Sequence, residues 1–281
     1  MMPKTLPGWL SPSGRQEASH SINMNNLFRG GFSAIPPVTK NLIIINALIW
    51  LVEAIAPQFA INGIIRHCGL HYVGASHFNP AQIITYMFVH DQATFFHVFF
   101  NMLTLFFFGP ALERIWGTRR FLFYYMACGV GAALIQEGVW ALTWQREYID
   151  GIAGLNHVMK AEAAEYVREG LAAGNASLTA AMDAYRNSMV TVGASGAIFG
   201  LLLGFAFIFP NIPMYLFFIP VPIKAKYMVA GYAVIEFFFG VTGSMGTVAH
   251  FAHLGGMIFG LVLLLYWKKK GTLFGGNHYG W

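Results

Sequence analysis

Apolar residues fill six long stretches of the chain, and polar residues separate them. Each stretch holds about 20 residues, enough for an α-helix to cross the ~30 Å hydrocarbon layer of a membrane. Helices suit this layer because they satisfy their own backbone hydrogen bonds. The pattern therefore predicts an all-α, polytopic membrane protein with a six-helix bundle. The predicted spans are 40–59, 95–116, 121–144, 191–210, 223–241 and 247–267.

The composition agrees with a membrane protein. Of the 281 residues, 56% are hydrophobic and only 10% are charged, whereas soluble domains carry roughly 25% charged residues. The net charge of +5 does not indicate nucleic-acid binding, because the basic residues are scattered at the ends of apolar stretches. Cys68 and Cys128 form neither a disulfide framework nor a CxxC motif. We expect no cofactor and no metal.

The basic residues also predict the orientation in the bilayer. Twelve of them lie in the terminal tails and even-numbered turns, against two acids there. The positive-inside rule places both termini in the cytoplasm. We expect a flexible cytoplasmic tail at 1–38, a membrane domain at 39–268 and a cytoplasmic tail at 269–281. Because no cleavable signal peptide or organelle-targeting helix is evident, a bacterial inner (plasma) membrane is the predicted location.

Two segments are expected on the outer side. The first, 60–94, is mixed and aromatic, so we expect it to lie half-immersed at the interface. The second, 145–188, is a polar insertion that cannot span. Its alanine-rich runs predict two short amphipathic helices separated at Gly174 and Asn175. A solvated cap with no catalytic part is the simplest interpretation of this insertion.

Candidate chemistry lies in the fourth and sixth spans. In the fourth span, Ser195 is followed by small residues every four positions, which lets another helix approach closely. In the sixth span, His253 shares a face with two glycines. Packing these faces would bring Ser195 near His253, as a nucleophile and its general base require. Ordinary helix packing without chemistry is the alternative. The small residues are Gly196, Gly200, Gly204, Gly256 and Gly260.

The second span carries polar residues where hydrocarbon penalises them. His97 and Asn101 are four residues apart and share one helix face. Both can donate hydrogen bonds, as can the backbone amide of Ser195, and together they could stabilise a tetrahedral oxyanion. The alternative is a polar clamp between helices, worth on the order of 0.6 kcal/mol per bond.

Jointly these motifs resemble the rhomboid family of intramembrane serine proteases over about residues 40 to 268. The resemblance implies a serine endopeptidase with a Ser195–His253 dyad and no third triad member. It also implies an oxyanion hole formed by the Ser195 amide, His97 and Asn101, with transmembrane protein segments in the lipid bilayer as substrates. The matching residues are His97, Asn101, Gly109, Glu113, Gly117, Gly193, Ala194, Ser195, Gly196, Ala252, His253, Leu254, Gly255, Gly256 and Gly260.

Two positions in the motifs have alternatives. His250 precedes His253 by one helical turn, but the spacing of glycines after His253 fits the base better. Phe199 occupies a position often held by tyrosine in the family, so we expect its ring to pack against the base without a hydroxyl. Gly193, Gly196, Phe199, Gly200, His250, Gly256 and Gly260 are therefore predicted supporting residues.

Other protein classes fit the sequence less well. A zinc protease of the HExxH type is not indicated, because that motif is absent. An intramembrane aspartyl protease needs two acids at depth, yet no aspartate lies in the six spans. No convincing internal repeat suggests a transporter. The remaining alternative is a non-catalytic rhomboid-like protein that binds membrane helices.

Overall fold

The computed structural model describes residues 35–91, 95–216, 219–243 and 249–274. Most of the predicted 1–38 tail and the end of the 269–281 tail lie outside these residues. The described part is mostly helical. Its long helices are α1 (Pro37–Ile55), α2 (Phe95–Trp116), α3 (Thr118–Asn156), α4 (Lys160–Ala172), α5 (Ala176–Ser188), α6 (Ser195–Ile208), α7 (Ala225–Thr242) and α8 (His250–Lys269).

Each of the six predicted spans overlaps one of these helices. In the described residues, α1, α2, α3 and α8 are long and apolar enough to cross a membrane. Helix α6 is apolar but has only 14 residues, which is about 21 Å at 1.5 Å per residue. The polytopic membrane bundle is therefore supported, whereas crossing by α6 and α7 stays a prediction.

Two helices end at residues that differ from the predicted span limits. The first span was expected to reach 59, but α1 ends at Ile55 because Pro57 follows, and proline disfavours helical backbone in the residue before it. The third span was expected to end at 144, but α3 continues to Asn156. Polar residues end a membrane span without ending a helix. At 39 residues, α3 is about 58 Å long and extends well beyond the hydrocarbon layer.

The predicted interfacial segment is a chain of short elements. After Pro57–Phe59 come a π-helical stretch, Ala60–Ile65, and a short helix, Arg66–Cys68. Further along, Gln82–Thr85 is helical and Tyr86–Phe88 forms a 3-10 turn. Tyr86 is fully buried, and its hydroxyl donates to the Gly129 carbonyl at 2.7 Å. The segment is thus anchored in the bundle.

Two small antiparallel sheets depart from the all-α prediction. Strand β1 (Leu70–His71) pairs with β2 (Val190–Thr191), which joins the interfacial segment to the chain just before α6. Strands β3 (Pro213–Leu216) and β4 (Ile219–Lys224) form a hairpin between α6 and α7. Prolines in this hairpin lack an N–H, so they suit a two-stranded sheet better than a helix.

Helix α6 packs closely against α3 and α8. A methyl group added at Gly256 of α8 would overlap the Gly196 carbonyl of α6, so the two backbones touch. One turn further along α6, Gly200 faces Cys128 of α3, and its carbonyl accepts a hydrogen bond from the Tyr124 hydroxyl at 2.8 Å. The predicted contact between the two glycine faces is therefore present. Both cysteines are free, as predicted.

The start of α1 is held by the end of α2. The Glu113 carboxylate accepts hydrogen bonds from the Val38 and Thr39 amides at 3.0 and 2.8 Å, and from the Thr39 hydroxyl at 2.7 Å. An acid suits the positive N-terminal end of a helix dipole. Gly117 has φ +76 and makes the turn from α2 into α3. Glu113 and Gly117, two residues of the family motif, therefore stabilise the fold where α1, α2 and α3 meet.

The polar insertion, 145–188, contains the two predicted helices, α4 and α5. The break lies where predicted: Gly174 has φ +67, and the Asn175 side chain caps α5 by accepting from the Leu178 amide at 3.1 Å. Asp183 on α5 binds the Ser76 hydroxyl at 2.7 Å. This bond, with weaker contributions from other neighbours, lowers the pKa of Asp183. The insertion is thereby tied to the interfacial segment.

The first residues after α8 fold back onto the bundle. The Trp116 indole donates to the Leu273 carbonyl at 2.9 Å, and Arg120 donates to the Thr272 carbonyl. The Arg120 guanidinium also lies 3.7 Å from the centroid of the Trp267 ring. The predicted flexible tail at 269–281 is therefore bound at its beginning.

Candidate active site

Three helices begin around one point of the bundle. His97 lies in the first turn of α2, Ser195 is the first residue of α6, and His253 lies in the first turn of α8. Each of these helices packs against α6 or belongs to it. The predicted spans 95–116, 191–210 and 247–267 also have these three residues near their first residues, in agreement with the helix bounds.

Ser195 and His253 are in direct contact. The Ser195 Oγ lies 2.7 Å from His253 Nε2, within hydrogen-bond distance. His253 is buried and Ser195 is half-buried. The turn before Ser195 depends on Gly193, whose φ is +120 and whose amide donates to the Tyr86 carbonyl at 2.9 Å. Glycine adopts this φ without the steric cost that a Cβ brings.

The Phe199 ring covers one face of His253. Their ring centroids are 4.3 Å apart and their planes differ by 5°. Phe199 is on α6, one turn after Ser195, so the helix that carries the hydroxyl also restricts the imidazole. The packing expected of this aromatic position is present.

His97 presents a ring nitrogen to the backbone just before Ser195. A methyl group built on Gly193 would lie 2.7 Å from His97 Nε2, so this nitrogen sits over the Gly193 backbone. The Asp91 amide donates to His97 Nδ1 at 3.4 Å. An Nδ1 that accepts leaves the proton of a neutral imidazole on Nε2. His97 can therefore donate toward the region in front of Ser195.

Asn101 lies one turn further along α2 and is buried. Its side-chain Nδ2 has no hydrogen-bond partner among the described residues. A buried, unpaired amide donor is costly, and a ligand oxygen or water would satisfy it. No hydrogen bond in the described part of the protein joins Asn101 to Ser195 or His97.

His250 does not take the position of the base. Its Nδ1 lies 2.7 Å from Glu236 Oε2 on α7. The same carboxylate oxygen is 3.0 Å from Nδ1 of His253. Glu236 lies within the predicted span 223–241, and its contact with the two histidines was not predicted. The signal was available, because an ionisable residue inside an apolar span usually has a function or a partner.

Among the described residues, the side chains of Glu236, His250 and His253 form the cluster that could hold a metal ion. One ligand atom from each of Glu236, His250 and His253 lies within 4.8 Å of the others. Two imidazoles and a carboxylate are ligands that divalent transition metals accept. Nδ1 of His250 and Oε2 of Glu236 already contact each other at 2.7 Å. The expectation that no metal takes part stays a prediction.

A second buried histidine lies beside His97. The His90 and His97 ring centroids are 5.3 Å apart, and neither ring nitrogen of His90 has a partner in the described residues. Burial lowers the pKa of His90 to about 3, so the ring is neutral at physiological pH. Glu53 of α1 accepts a hydrogen bond from the His90 amide at 3.2 Å. His90 belongs to the predicted interfacial segment, 60–94, and its position next to the site was not predicted.

Comparison with known proteins agrees with the residue pattern. A family model described as the Rhomboid domain matches residues 77–154 and 161–270. The chain is also 29% identical over 99 residues to the Bacillus subtilis (strain 168) protein named "Putative rhomboid protease YdcA". That match includes 35% of this chain and spans about half the length of the relative, 48%. Because the family model matches more than half of the residues, the chain belongs to the rhomboid family.

Proposed function

We propose that this protein is an intramembrane serine endopeptidase that hydrolyses peptide bonds in or near transmembrane segments of other proteins. The observation that carries the proposal is the 2.7 Å contact between Ser195 Oγ and His253 Nε2. A serine hydroxyl is a weak nucleophile until an adjacent base accepts its proton. Family membership supports a protease.

The proposed reaction proceeds through an acyl-enzyme. His253 Nε2 takes the Ser195 proton as Oγ attacks the scissile carbonyl carbon, and the carbonyl oxygen becomes an oxyanion. The imidazolium then gives its proton to the leaving amine, and the C–N bond breaks. Water, deprotonated by His253, attacks the Ser195 ester and releases the new carboxyl group.

The proposed oxyanion hole has three donors. They are the Ser195 backbone amide at the start of α6, Nε2–H of His97 and Nδ2 of Asn101. Backbone amides in the first turn of a helix have no partner within the helix. The unpaired Asn101 Nδ2 supports this role, because an oxyanion would supply its missing acceptor. Donors of this kind contribute roughly 3–4 kcal/mol each to transition-state stabilisation in acyl transfer.

We further propose that six helices cross a bacterial inner membrane, with both termini in the cytoplasm and the site near the outer surface. A substrate helix must unwind locally before Ser195 can attack, because helical hydrogen bonds occupy its peptide groups. Helix-weakening glycine or proline near the cleavage site is therefore expected to increase cleavage. Cleavage that is unchanged when such a segment is replaced by leucine and alanine would contradict this step.

The test is cleavage of single-span proteins by the purified enzyme in liposomes, with products mapped by mass spectrometry. Ser195→Ala and His253→Ala should remove cleavage. Ser177→Ala is the matched control, because this exposed serine lies in the outer insertion; its rate should equal that of the parent. If folded protein binds these substrates without any Ser195-dependent cleavage, the protein is a membrane-helix binder and the proposal is wrong.

A further inference from the structure

We propose that Glu236 is a positioning residue for His253, so that the site works as a Ser195–His253–Glu236 triad. The inference rests on the proposed function and deepens it. It departs from the dyad without a third member that the family resemblance implies.

The geometry places Glu236 at the opposite edge of the imidazole from the serine. His253 Nε2 is 2.7 Å from Ser195 Oγ, and His253 Nδ1 is 3.0 Å from Glu236 Oε2. The second contact is within ion-pair distance but is bent, because Nδ1 makes no hydrogen bond of ordinary geometry in the described residues. Because His253 Nδ1 is buried, it needs an acceptor within the protein, and the Glu236 carboxylate is the acceptor near it among the described residues.

A second histidine fixes the carboxylate in place. His250 Nδ1 lies 2.7 Å from the same Oε2 atom, and the side chains of both residues are largely buried, at 7% and 13% exposure. A carboxylate inside an apolar helix is retained where it has hydrogen-bonded partners. The two histidines of α8 supply those partners to the one acid of α7. Glu236 is therefore oriented by His250 independently of His253.

The chemical consequence concerns which nitrogen of His253 carries the proton. A carboxylate at Nδ1 favours the tautomer with the proton on Nδ1 and the lone pair on Nε2, facing Ser195. It also stabilises the imidazolium that forms once Nε2 has taken the serine proton. Phe199 restricts the face of the same ring. The imidazole is thus held at both edges and on one face.

A purely structural role for Glu236 predicts a different effect of its substitution on the cleavage rate. In that case the carboxylate ties α7 to α8, and its loss reduces the fraction of folded enzyme but not the rate of each folded molecule. The two roles are separated by counting active sites with a fluorophosphonate and dividing the cleavage rate by that count.

The test compares Glu236→Gln with Glu137→Gln. Glu137 is a matched control: it is a half-buried glutamate on α3 that accepts from the Val73 amide at 2.8 Å, and glutamine keeps an acceptor oxygen there. We expect Glu236→Gln to lower kcat per labelled site at least about 10-fold, which is part of the roughly 10²–10⁴-fold that acid–base catalysis contributes as a whole. KM should stay within about twofold, since Glu236 makes no proposed contact with substrate. Glu137→Gln should retain the parent kcat.

His250→Gln provides a second variant with an intermediate expectation. It removes one partner of Glu236 but leaves the Glu236–His253 contact, so kcat per labelled site should fall less than in Glu236→Gln. Thermal unfolding of every variant reports whether it is folded.

Two results would overturn the inference. One is an unchanged kcat per labelled site in folded Glu236→Gln, with only the number of active sites reduced. The other is parent behaviour in both quantities. In either case a loss of cleavage in Ser195→Ala leaves the proposed function intact, whereas cleavage that persists in Ser195→Ala would contradict the protease proposal itself.

Discussion

The close backbone contact between α6 and α8 gives a sharp prediction for Gly256→Ala. Gly256 of α8 lies against the carbonyl of Gly196 on α6, and the added methyl group would overlap that carbonyl. Backbone on both sides cannot rotate away as a flexible side chain can. The two helices must therefore separate, and they carry Ser195 and His253.

The size of the effect follows from the distances. Carbon atoms need about 3.5 Å to make an ordinary contact, so the helices must move apart by roughly 1 Å or more. The Ser195–His253 distance of 2.7 Å would then exceed hydrogen-bond range. A 1 Å misplacement of catalytic groups can cost about 100-fold in rate. Overpacking of this kind also costs about 1–3 kcal/mol of stability.

The assay measures cleavage of a single-span substrate and thermal unfolding of the same preparations in detergent. Gly138→Ala is the matched control, because a methyl group at this exposed α3 position meets no atom within 4 Å. It should retain parent activity, and stability should rise or stay level, since alanine favours helix over glycine by about 1 kcal/mol. Parent-like cleavage by Gly256→Ala would show that the contact between the α6 and α8 backbones does not position the site.

Three further predictions concern other parts of the structure. Asn101→Ala should lower kcat about 10²-fold while KM changes little, because an oxyanion donor acts in the transition state; steady-state kinetics on one substrate series measures this, and a change confined to KM would contradict it. Phe199→Leu should lower cleavage more than Phe199→Tyr, because only tyrosine keeps a ring stacked on His253; equal rates would argue against ring packing. Because the pKa of Asp183 is lowered in the folded protein, its bond to Ser76 stabilises the fold above about pH 4, the ordinary carboxyl range. This stability is lost as the pH falls through the folded-state pKa. The unfolding midpoint of the parent should thus drop more between pH 5 and 3 than that of Asp183→Asn, and identical pH slopes would refute the linkage.

Much of the fold was predictable because hydrophobic length is a strong signal in membrane proteins. The six apolar stretches each overlap a helix, and the break between α4 and α5 falls at Gly174 and Asn175 as their turn chemistry predicted. The contact between the glycine faces of α6 and α8 was predictable for a related reason, since small residues at a four-residue spacing permit close approach.

Other features could not be predicted because they depend on tertiary contacts or on helix continuity. Hydropathy shows where a span leaves the membrane, but the end of α3 at Asn156 depends on local helix stability in water. The pairing of β1 with β2 joins Leu70 to Thr191, which are 121 positions apart, and short strands carry little periodic signal. In the same way, one sequence does not specify how α7 and α8 are rotated and shifted against each other.

The candidate site also has features that the sequence predicts and a feature that depends on tertiary contacts. The predicted spans begin near the starts of α2, α6 and α8, and the family resemblance implied His97, Ser195 and His253 as site residues. Glu236 was missed as a partner because the distance from a mid-span acid to a histidine on the next helix depends on helix rotation, which one sequence does not specify.

The most direct measurement is the site of covalent modification by a fluorophosphonate in the folded protein. After labelling in detergent or liposomes, proteolysis and mass spectrometry should locate one adduct on Ser195, with no adduct there in Ser195→Ala and a large decrease in His253→Ala. A folded parent protein that acquires no adduct on Ser195, or that is labelled equally well without His253, would contradict the claim that this imidazole activates this hydroxyl.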